Sequence, residues 1–141
     1  MGCENLQVTQ KELPATTMTE QCYAFMYSDC VKLSVAPRIN ATILASRCFS
    51  YMFSGCYELV IAPEINAPTL VSSCCEYMFS ETHKLKTITI RSVNGINTTN
   101  LEKWLSDGNT SGQIIIDAST TNDWEYNSDS GIPTGWVAIP V

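Results

Sequence analysis

The stretch Cys48-Phe-Ser-Tyr-Met-Phe-Ser-Gly-Cys-Tyr-Glu-Leu-Val-Ile-Ala-Pro63 decides the fold, because the chain repeats it. Shifted by 26 residues, the sequence matches itself twice. The positions in register carry small, apolar or aromatic side chains: Cys22, Cys48 and Cys74; Met26, Met52 and Met78; Tyr27, Phe53 and Phe79; Leu33, Leu59 and Leu85. A fixed period of this length indicates stacked units, each too small to bury its own apolar face.

Each repeat is predicted to contain one helical segment and one strand. Between Ala41 and Phe53 the apolar residues are spaced roughly as i, i+4 and i+8, which favours a short helix. Ser54-Gly55 would end this helix. Tyr57 to Ile61 is predicted as a short strand, which Ala62-Pro63 terminates. The pattern therefore predicts an α/β solenoid, a short right-handed array of 26-residue helix-turn-strand repeats.

The repeat array is predicted to occupy residues 1–90. Three full repeats span residues 13–38, 39–64 and 65–90, and a partial repeat fills residues 1–12. In the partial repeat, three residues precede their equivalents by 27 positions: Cys3, Leu6 and Val8 match Cys30, Leu33 and Val35. Because capping repeats are usually polar and atypical, we expect the chain to start inside a longer array. The edge from Leu6 to Val8 would then be open to weak self-association with a second copy.

Residues 91–141 are predicted to form a small C-terminal cap that contains β-structure. The period is lost after Ile90, and Asn, Thr, Ser, Asp and Gly become frequent. Thr99-Asn-Leu-Glu102 has the form of a capping box that opens a short helix through Leu105. Strands are predicted at 114–116 and 136–139. All three tryptophans lie in this region, so we expect them to cover the last apolar layer of the repeats.

The composition is that of a folded chain with an acidic balance. Of the 141 residues, 45% are hydrophobic and 16% are charged, and the formal net charge is −6. This charge disfavours a nucleic-acid backbone or an anionic membrane as partner. No apolar run approaches the roughly 18 residues of a membrane helix, so we expect no membrane insertion. No secretory signal follows Met1, so we expect any targeting segment to lie outside this chain.

Several motifs of the repeat are similar to those of a known family. They are Met-Phe-x-Gly-Cys-x-x-Leu at 52–59, the following Ala62-Pro63, Ala-Thr-x-Leu-Ala-x-x-Cys-Phe at 41–49, and Gly131-Ile-Pro-Thr-Gly-Trp136. Together they resemble the BspA-type leucine-rich repeats of bacterial surface proteins. The third repeat departs from the pattern at Glu81, Thr82 and Ile88-Thr89. The resemblance implies a leucine-rich-repeat-like fold, a secreted or cell-surface location, contact with other macromolecules, and no catalytic residues.

Six of the seven cysteines fall in two ladders. One ladder is Cys3, Cys30 and Cys56, continued by Thr82; the other is Cys22, Cys48 and Cys74. Stacked, buried free thiols explain Thr82, because a hydroxyl can replace a thiol donor but not half of a disulfide. The alternative is a disulfide within each repeat, Cys22–Cys30 and Cys48–Cys56, which an oxidising location would permit. Zinc fits poorly, since the spacing within a repeat is longer than in zinc sites and His83 is the only histidine.

No residue pattern indicates catalysis or a cofactor. Cys74-Cys75 with His83 has the composition of a thiol nucleophile and its base. However, Cys74 belongs to a ladder, and Cys75 takes the place of an aromatic residue in the other repeats. No Gly-rich phosphate loop, carboxylate pair or Ser-His-Asp arrangement stands out. We therefore predict a protein that is not an enzyme and that holds no cofactor and no metal.

The positions at which the repeats disagree are the candidate partner-binding residues. They form three sets of equivalent positions: Val31, Tyr57 and His83; Lys32, Glu58 and Lys84; Ser34, Val60 and Lys86. Positions that vary while their neighbours hold are expected to face solvent, on the side of the strand opposite the core. A row of such residues, one layer apart, would form an extended binding surface. A solvated face without a ligand is the alternative.

Two functions from different classes follow from these observations. The first is a surface-displayed binding or adhesion module that presents the repeat face to a protein or glycan partner. The second is a structural spacer segment of a larger secreted or surface protein. Loss of binding when Tyr57, Glu58 and Lys84 are changed together would separate the two.

Overall fold

The chain contains few regular elements. A computed structural model describes residues 3–7 and 10–141. In it, strands lie at Glu12–Leu13 (β1), Arg38–Ile39 (β2), Thr87–Ile90 (β3), Gly112–Ile116 (β4) and Trp136–Pro140 (β5), and one 3-10 helix spans Ala118–Thr120. β1 pairs with β2, and β3, β4 and β5 form a second sheet in that order. All of these pairings are parallel.

The predicted α/β solenoid of helix-turn-strand repeats is wrong, and so is its leucine-rich-repeat-like alternation of helix and strand. The described part of the chain contains no α-helix, and its regular structure consists of two small parallel sheets. Residues 46–55, in the region predicted to be helical, form consecutive turns. Residues 98–107 do the same where a short helix was predicted. The fold is therefore small and mostly non-helical.

Turns replace the helix because every fourth residue has a positive φ. In the second copy of the repeat, Arg47, Tyr51 and Gly55 have φ angles of 53°, 54° and 74°. An α-helix needs φ near −63° at every residue, so no helix can continue through these positions. Consecutive four-residue turns still place side chains inward at every fourth position, and Met52 and Cys56 are buried. The apolar spacing therefore fits the turns as well as it fits a helix.

Backbone hydrogen bonds connect each copy of the repeat to the next one. Within the turns, alternate amides donate to the carbonyl three residues earlier, as Met52 does to Phe49 at 3.0 Å. The amides between them donate to carbonyls of the following copy, each at 2.9 Å: Phe49 to Cys74, Tyr51 to Glu76 and Phe53 to Met78. These two sets of hydrogen bonds pair the buried backbone N–H and C=O groups that a helix would otherwise have paired.

The apolar core includes side chains from both the turns and the strands. Tyr27, Phe53 and Phe79 stack across three copies, with ring centroids 5.5 and 5.7 Å apart. Trp104 extends this column at 6.2 Å from Phe79, and Trp124 packs 5.9 Å from Trp104. Each aromatic pair contributes about 0.5–1.5 kcal/mol beyond the burial of its surface. The column therefore ties the residues after position 90 to the third copy.

The strand predictions had mixed outcomes. β4 and β5 contain the strands predicted at 114–116 and 136–139, and both predictions are confirmed. The strand predicted from Tyr57 to Ile61 is wrong, because only Ile61 forms an isolated parallel bridge. The amide of Leu59 donates to the Cys56 carbonyl at 3.2 Å, within a local turn, instead of to a neighbouring strand. The N-terminal edge expected to self-associate lies partly outside the described residues, since Val8 is not among them.

The first copy of the repeat is less covered than the two that follow. Met26 is 44% exposed, whereas Met52 and Met78 are fully buried. Cys22 is likewise exposed, while its equivalent Cys48 is buried. The turns of the first copy donate amide hydrogen bonds to the second copy, as Tyr27 does to the Met52 carbonyl. On their other side, the equivalent carbonyl of Met26 accepts no backbone hydrogen bond from any described residue. Because Met26 recurs in register with Met52 and Met78, the repeat predicts a core residue at this position, and that prediction is wrong.

Candidate interaction surface

The predicted partner-binding positions all reach the surface. Each of them is exposed or half-exposed: Val31, Lys32, Ser34, Tyr57, Glu58, Val60, His83, Lys84 and Lys86. The leucines that lie among them, Leu33, Leu59 and Leu85, are fully buried. One buried leucine per copy fixes the backbone on either side of it. The residues next to the leucine therefore reach the surface at equivalent places in successive copies and lie side by side.

Two contacts join the second and third copies on this face. The rings of Tyr57 and His83 lie 4.9 Å apart between centroids and are tilted by 34°. One position further along the chain, Lys84 Nζ donates to Glu58 Oε2 at 2.7 Å. Both side chains of this ion pair are about half exposed, so the pair contributes no more than about 1 kcal/mol. Its main effect is to hold an aromatic ring and two opposite charges next to each other.

In the first copy, the equivalent polar side chains contact the N-terminal segment instead. Lys32 Nζ donates to Asn5 Oδ1 at 3.1 Å. Ser34 donates to the Gln7 carbonyl through its amide at 3.0 Å and its hydroxyl at 3.3 Å. At the other end of the row, Lys86 Nζ donates to Ser111 Oγ at 3.1 Å. The surface therefore extends across the copies from residue 5 to residue 111.

A groove of about 560 Å³ lies between the first and second copies on this face. It is lined by Gln7, Val31, Lys32, Ser34, Tyr57 and Glu58. Five of these were predicted from the disagreement between repeats, and Gln7 was not. The lining combines an ammonium group, a carboxylate and an aromatic ring, which suits noncovalent recognition by hydrogen bonds and apolar contact.

Sequence reasoning missed a set of exposed aliphatic residues beside the predicted positions. Val35 is 58% exposed and Ile61 is 64% exposed. Together with Val60, Pro37 and Pro63 they line a second groove of about 530 Å³. Val35 and Ile61 are both apolar and occupy equivalent positions of the repeat, which is the pattern expected of core residues. The signal that could have identified them is Thr87, the polar residue that takes this offset in the third copy.

All seven cysteines are free thiols, and five of them are buried. Cys3 and Cys22 are exposed, so the interpretation of two wholly buried ladders is wrong at those positions. The Cys56 thiol donates to the Tyr27 carbonyl at 3.1 Å, and Thr82 donates to the Phe79 carbonyl at 2.5 Å. The hydroxyl at position 82 thus takes over a thiol's role as donor.

Burial controls the reactivity of the thiols in the middle of the fold. It raises the pKa of Cys48 and of Cys56 to about 12, so both stay protonated near neutral pH. Cys74 and Cys75 lie 3.6 Å apart between sulfurs and are both fully buried. The hydrogen bond between them lowers the pKa of Cys74 and raises that of Cys75. His83, by contrast, is exposed and its ring lies tilted against that of Tyr57.

Within residues 3–7 and 10–141, no group of three or more His, Cys, Asp or Glu side chains is arranged to hold a metal ion. Over the same ranges, no helix is both long enough and apolar enough to cross a membrane. Comparison of the chain with protein-family models, curated proteins and solved structures found no match. The function is therefore inferred from the surface and from the sequence.

Proposed function

We propose that the chain is a non-catalytic binding module that presents the predicted partner-binding face to a protein or glycan. The observation that carries this proposal is that all nine predicted partner-binding residues are exposed or half-exposed. Contacts between copies order several of them before any ligand arrives, as between Tyr57 and His83. Side chains that are already ordered lose less conformational entropy on binding, which favours affinity.

The proposed setting is a secreted or cell-surface protein that makes adhesive contacts. Its support is the resemblance of the segments at 41–49 and 52–59 to bacterial surface proteins. The alternative function is a structural spacer. Hydrogen bonds from one copy to the next, such as Phe49 to Cys74, favour a stiff segment and therefore support that alternative.

The test is the combined replacement of Tyr57, Glu58 and Lys84 by alanine. The chain is first screened against an array of purified extracellular proteins and glycans. For any ligand that binds, we expect the triple variant to lose at least about tenfold in affinity, or about 1.4 kcal/mol, because an aromatic ring and two charges leave one contact area.

A matched control removes the same three residue types elsewhere: Lys103, Glu125 and Tyr126, all of which are exposed. This control variant should bind within about twofold of the unmodified chain, a change below about 0.5 kcal/mol. Equal losses in both triple variants would contradict the proposed face. Binding to nothing on the array would contradict the binding function and leave the spacer.

A further inference from the structure

An aliphatic strip runs across the same side of the molecule as the predicted face. We define it by five exposed residues: Val35, Val60, Ile61, Val137 and Ile139. Single exposed apolar side chains are common on soluble proteins, but a contiguous row of them marks an interaction surface. How these five residues are placed relative to one another, and what lies between them, is therefore the deciding question.

Backbone register places the strip in one row across neighbouring chain segments, with two polar positions, Thr87 and Gln113, between its two aliphatic ends. Val35, Val60 and Ile61 line one groove. Ile61 forms a parallel bridge with Thr87, and Thr87 pairs with Gln113. Gln113 in turn pairs with Val137, and a groove of about 450 Å³ contains Thr87, Gln113, Val137 and Ile139. With neighbouring chains about 4.8 Å apart, the row from Val35 to Val137 is about 19 Å across, the span of about six extended residues.

The charges beside the strip that form no ion pair are positive, although the whole chain is acidic. Three carboxylates near it are already paired, in Glu12–Arg38, Glu58–Lys84 and Glu64–Arg91. Lys11 lines the groove that contains Val35 and Ile61, and Lys86 lines the groove that contains Val137. Lys32 lines the groove of about 560 Å³ beside them. None of the ion pairs formed by the described residues includes these three lysines. A partner that brings carboxylates to this side would complement them.

The chemistry of the strip favours a polypeptide over a glycan. Sugar rings stack on flat, open aromatic faces, and the exposed ring on this side, Tyr57, already packs against His83. Branched aliphatic side chains such as Val35 and Ile61 gain most by burying other apolar side chains. The flanking lysines can then pair with carboxylates at the rim of the contact.

From these observations we infer that the partner is a polypeptide segment that combines apolar side chains with Asp or Glu, and that it docks on the aliphatic strip. This inference rests on the proposed function, since it names the class of partner that the binding module takes. It also adds contact residues that the disagreement between repeats did not predict, above all Val35, Ile61 and Val137.

The experiment selects from a displayed library of random peptides of about 12 residues, twice the length that spans the strip. A glycan array is probed in parallel. We expect the selected peptides to be enriched in Leu, Ile, Val or Phe together with Asp or Glu. Their affinity should fall as salt is raised, because charge pairs at the rim are screened.

Two pairs of variants locate the contact. Val35→Ser with Ile61→Ser should weaken the selected peptides at least about tenfold. The matched control, Val93→Ser with Ile43→Ser, removes aliphatic residues that are 39% and 60% exposed away from the strip, and should change affinity less than about twofold. Lys86→Glu should also weaken binding, whereas Lys103→Glu should not. Circular dichroism checks that each variant is folded.

The possible outcomes separate this inference from the proposed function. Failure to select any peptide, selection of peptides without apolar or acidic residues, or equal losses in strip and control variants would each overturn the inference. Glycan binding alone, lost in the Tyr57, Glu58 and Lys84 triple variant, would overturn it and leave the proposed function standing. Binding of neither peptides nor glycans would remove both.

Discussion

Replacement of Met52 by alanine is expected to lower the free energy of unfolding by about 2–5 kcal/mol. Met52 is fully buried in the second copy, between a neighbouring copy on each side. Removal of its side chain leaves a cavity that the hydrogen-bonded turns cannot close, because their backbone is fixed on both sides. The measurement is equilibrium unfolding in denaturant, read from the midpoint and slope.

The chain provides its own matched control at the equivalent position one copy earlier. Met26 has the same side chain in the same kind of turn, but it is 44% exposed. Met26→Ala should therefore cost less than about 1 kcal/mol. Similar losses for the two variants would contradict the difference in coverage between the copies. A loss below about 1 kcal/mol for Met52→Ala would place that side chain outside the core.

Alkaline pH is expected to destabilise the protein because buried thiols resist losing their protons in the folded state. The ordinary cysteine pKa of 9.0 is raised to about 12 in the folded state for Cys48 and Cys56, because burial disfavours the thiolate. Below pH 9 both thiols are protonated in the folded and unfolded states, and the folded state loses nothing. Above pH 9 the unfolded chain releases these protons and the folded chain keeps them, so stability falls as pH rises.

Each of the two thiols lowers stability by about 1.4 kcal/mol per pH unit in this window, so the pair removes roughly 4 kcal/mol between pH 9 and pH 11. Denaturant unfolding at several pH values under reducing conditions measures this loss. Cys48→Ala should reduce the pH dependence by about 1.4 kcal/mol per pH unit in this window, because the contribution of that thiol is gone. A pH dependence that Cys48→Ala does not alter would contradict the burial of that thiol.

The period and most of the core could be predicted from the sequence, whereas the conformation of the repeat could not. Burial of Cys48, Met52 and Leu59 follows from residues that recur at one offset. The same recurrence cannot distinguish a helix of 3.6 residues per turn from turns of four residues, since over three turns the two differ by about one residue. Positive φ at Tyr51 and Tyr77 decides between them, and no residue-type preference signals it, because bulky side chains rarely adopt that conformation.

The candidate surface was predictable only where the repeats differ in side-chain chemistry. Tyr57, Glu58 and Lys84 change character between copies and are exposed or half-exposed, as expected. Val35 and Ile61 keep an apolar character between copies, so they look like core residues. Ile61 forms only an isolated bridge with Thr87, where a longer strand was expected. That local departure from a strand is a property of backbone pairing, which periodicity does not report.

Hydrogen-bond scalar couplings, measured by NMR on the isotope-labelled protein, test the central claim most directly. The account predicts that the amides of Phe49 and Tyr51 couple to the carbonyls of Cys74 and Glu76, in the next copy of the repeat. Couplings from these amides to carbonyls four residues earlier, with helical carbon shifts over 46–55, would contradict it. In that case the turns, the bonds between copies and the face that they align would all be wrong.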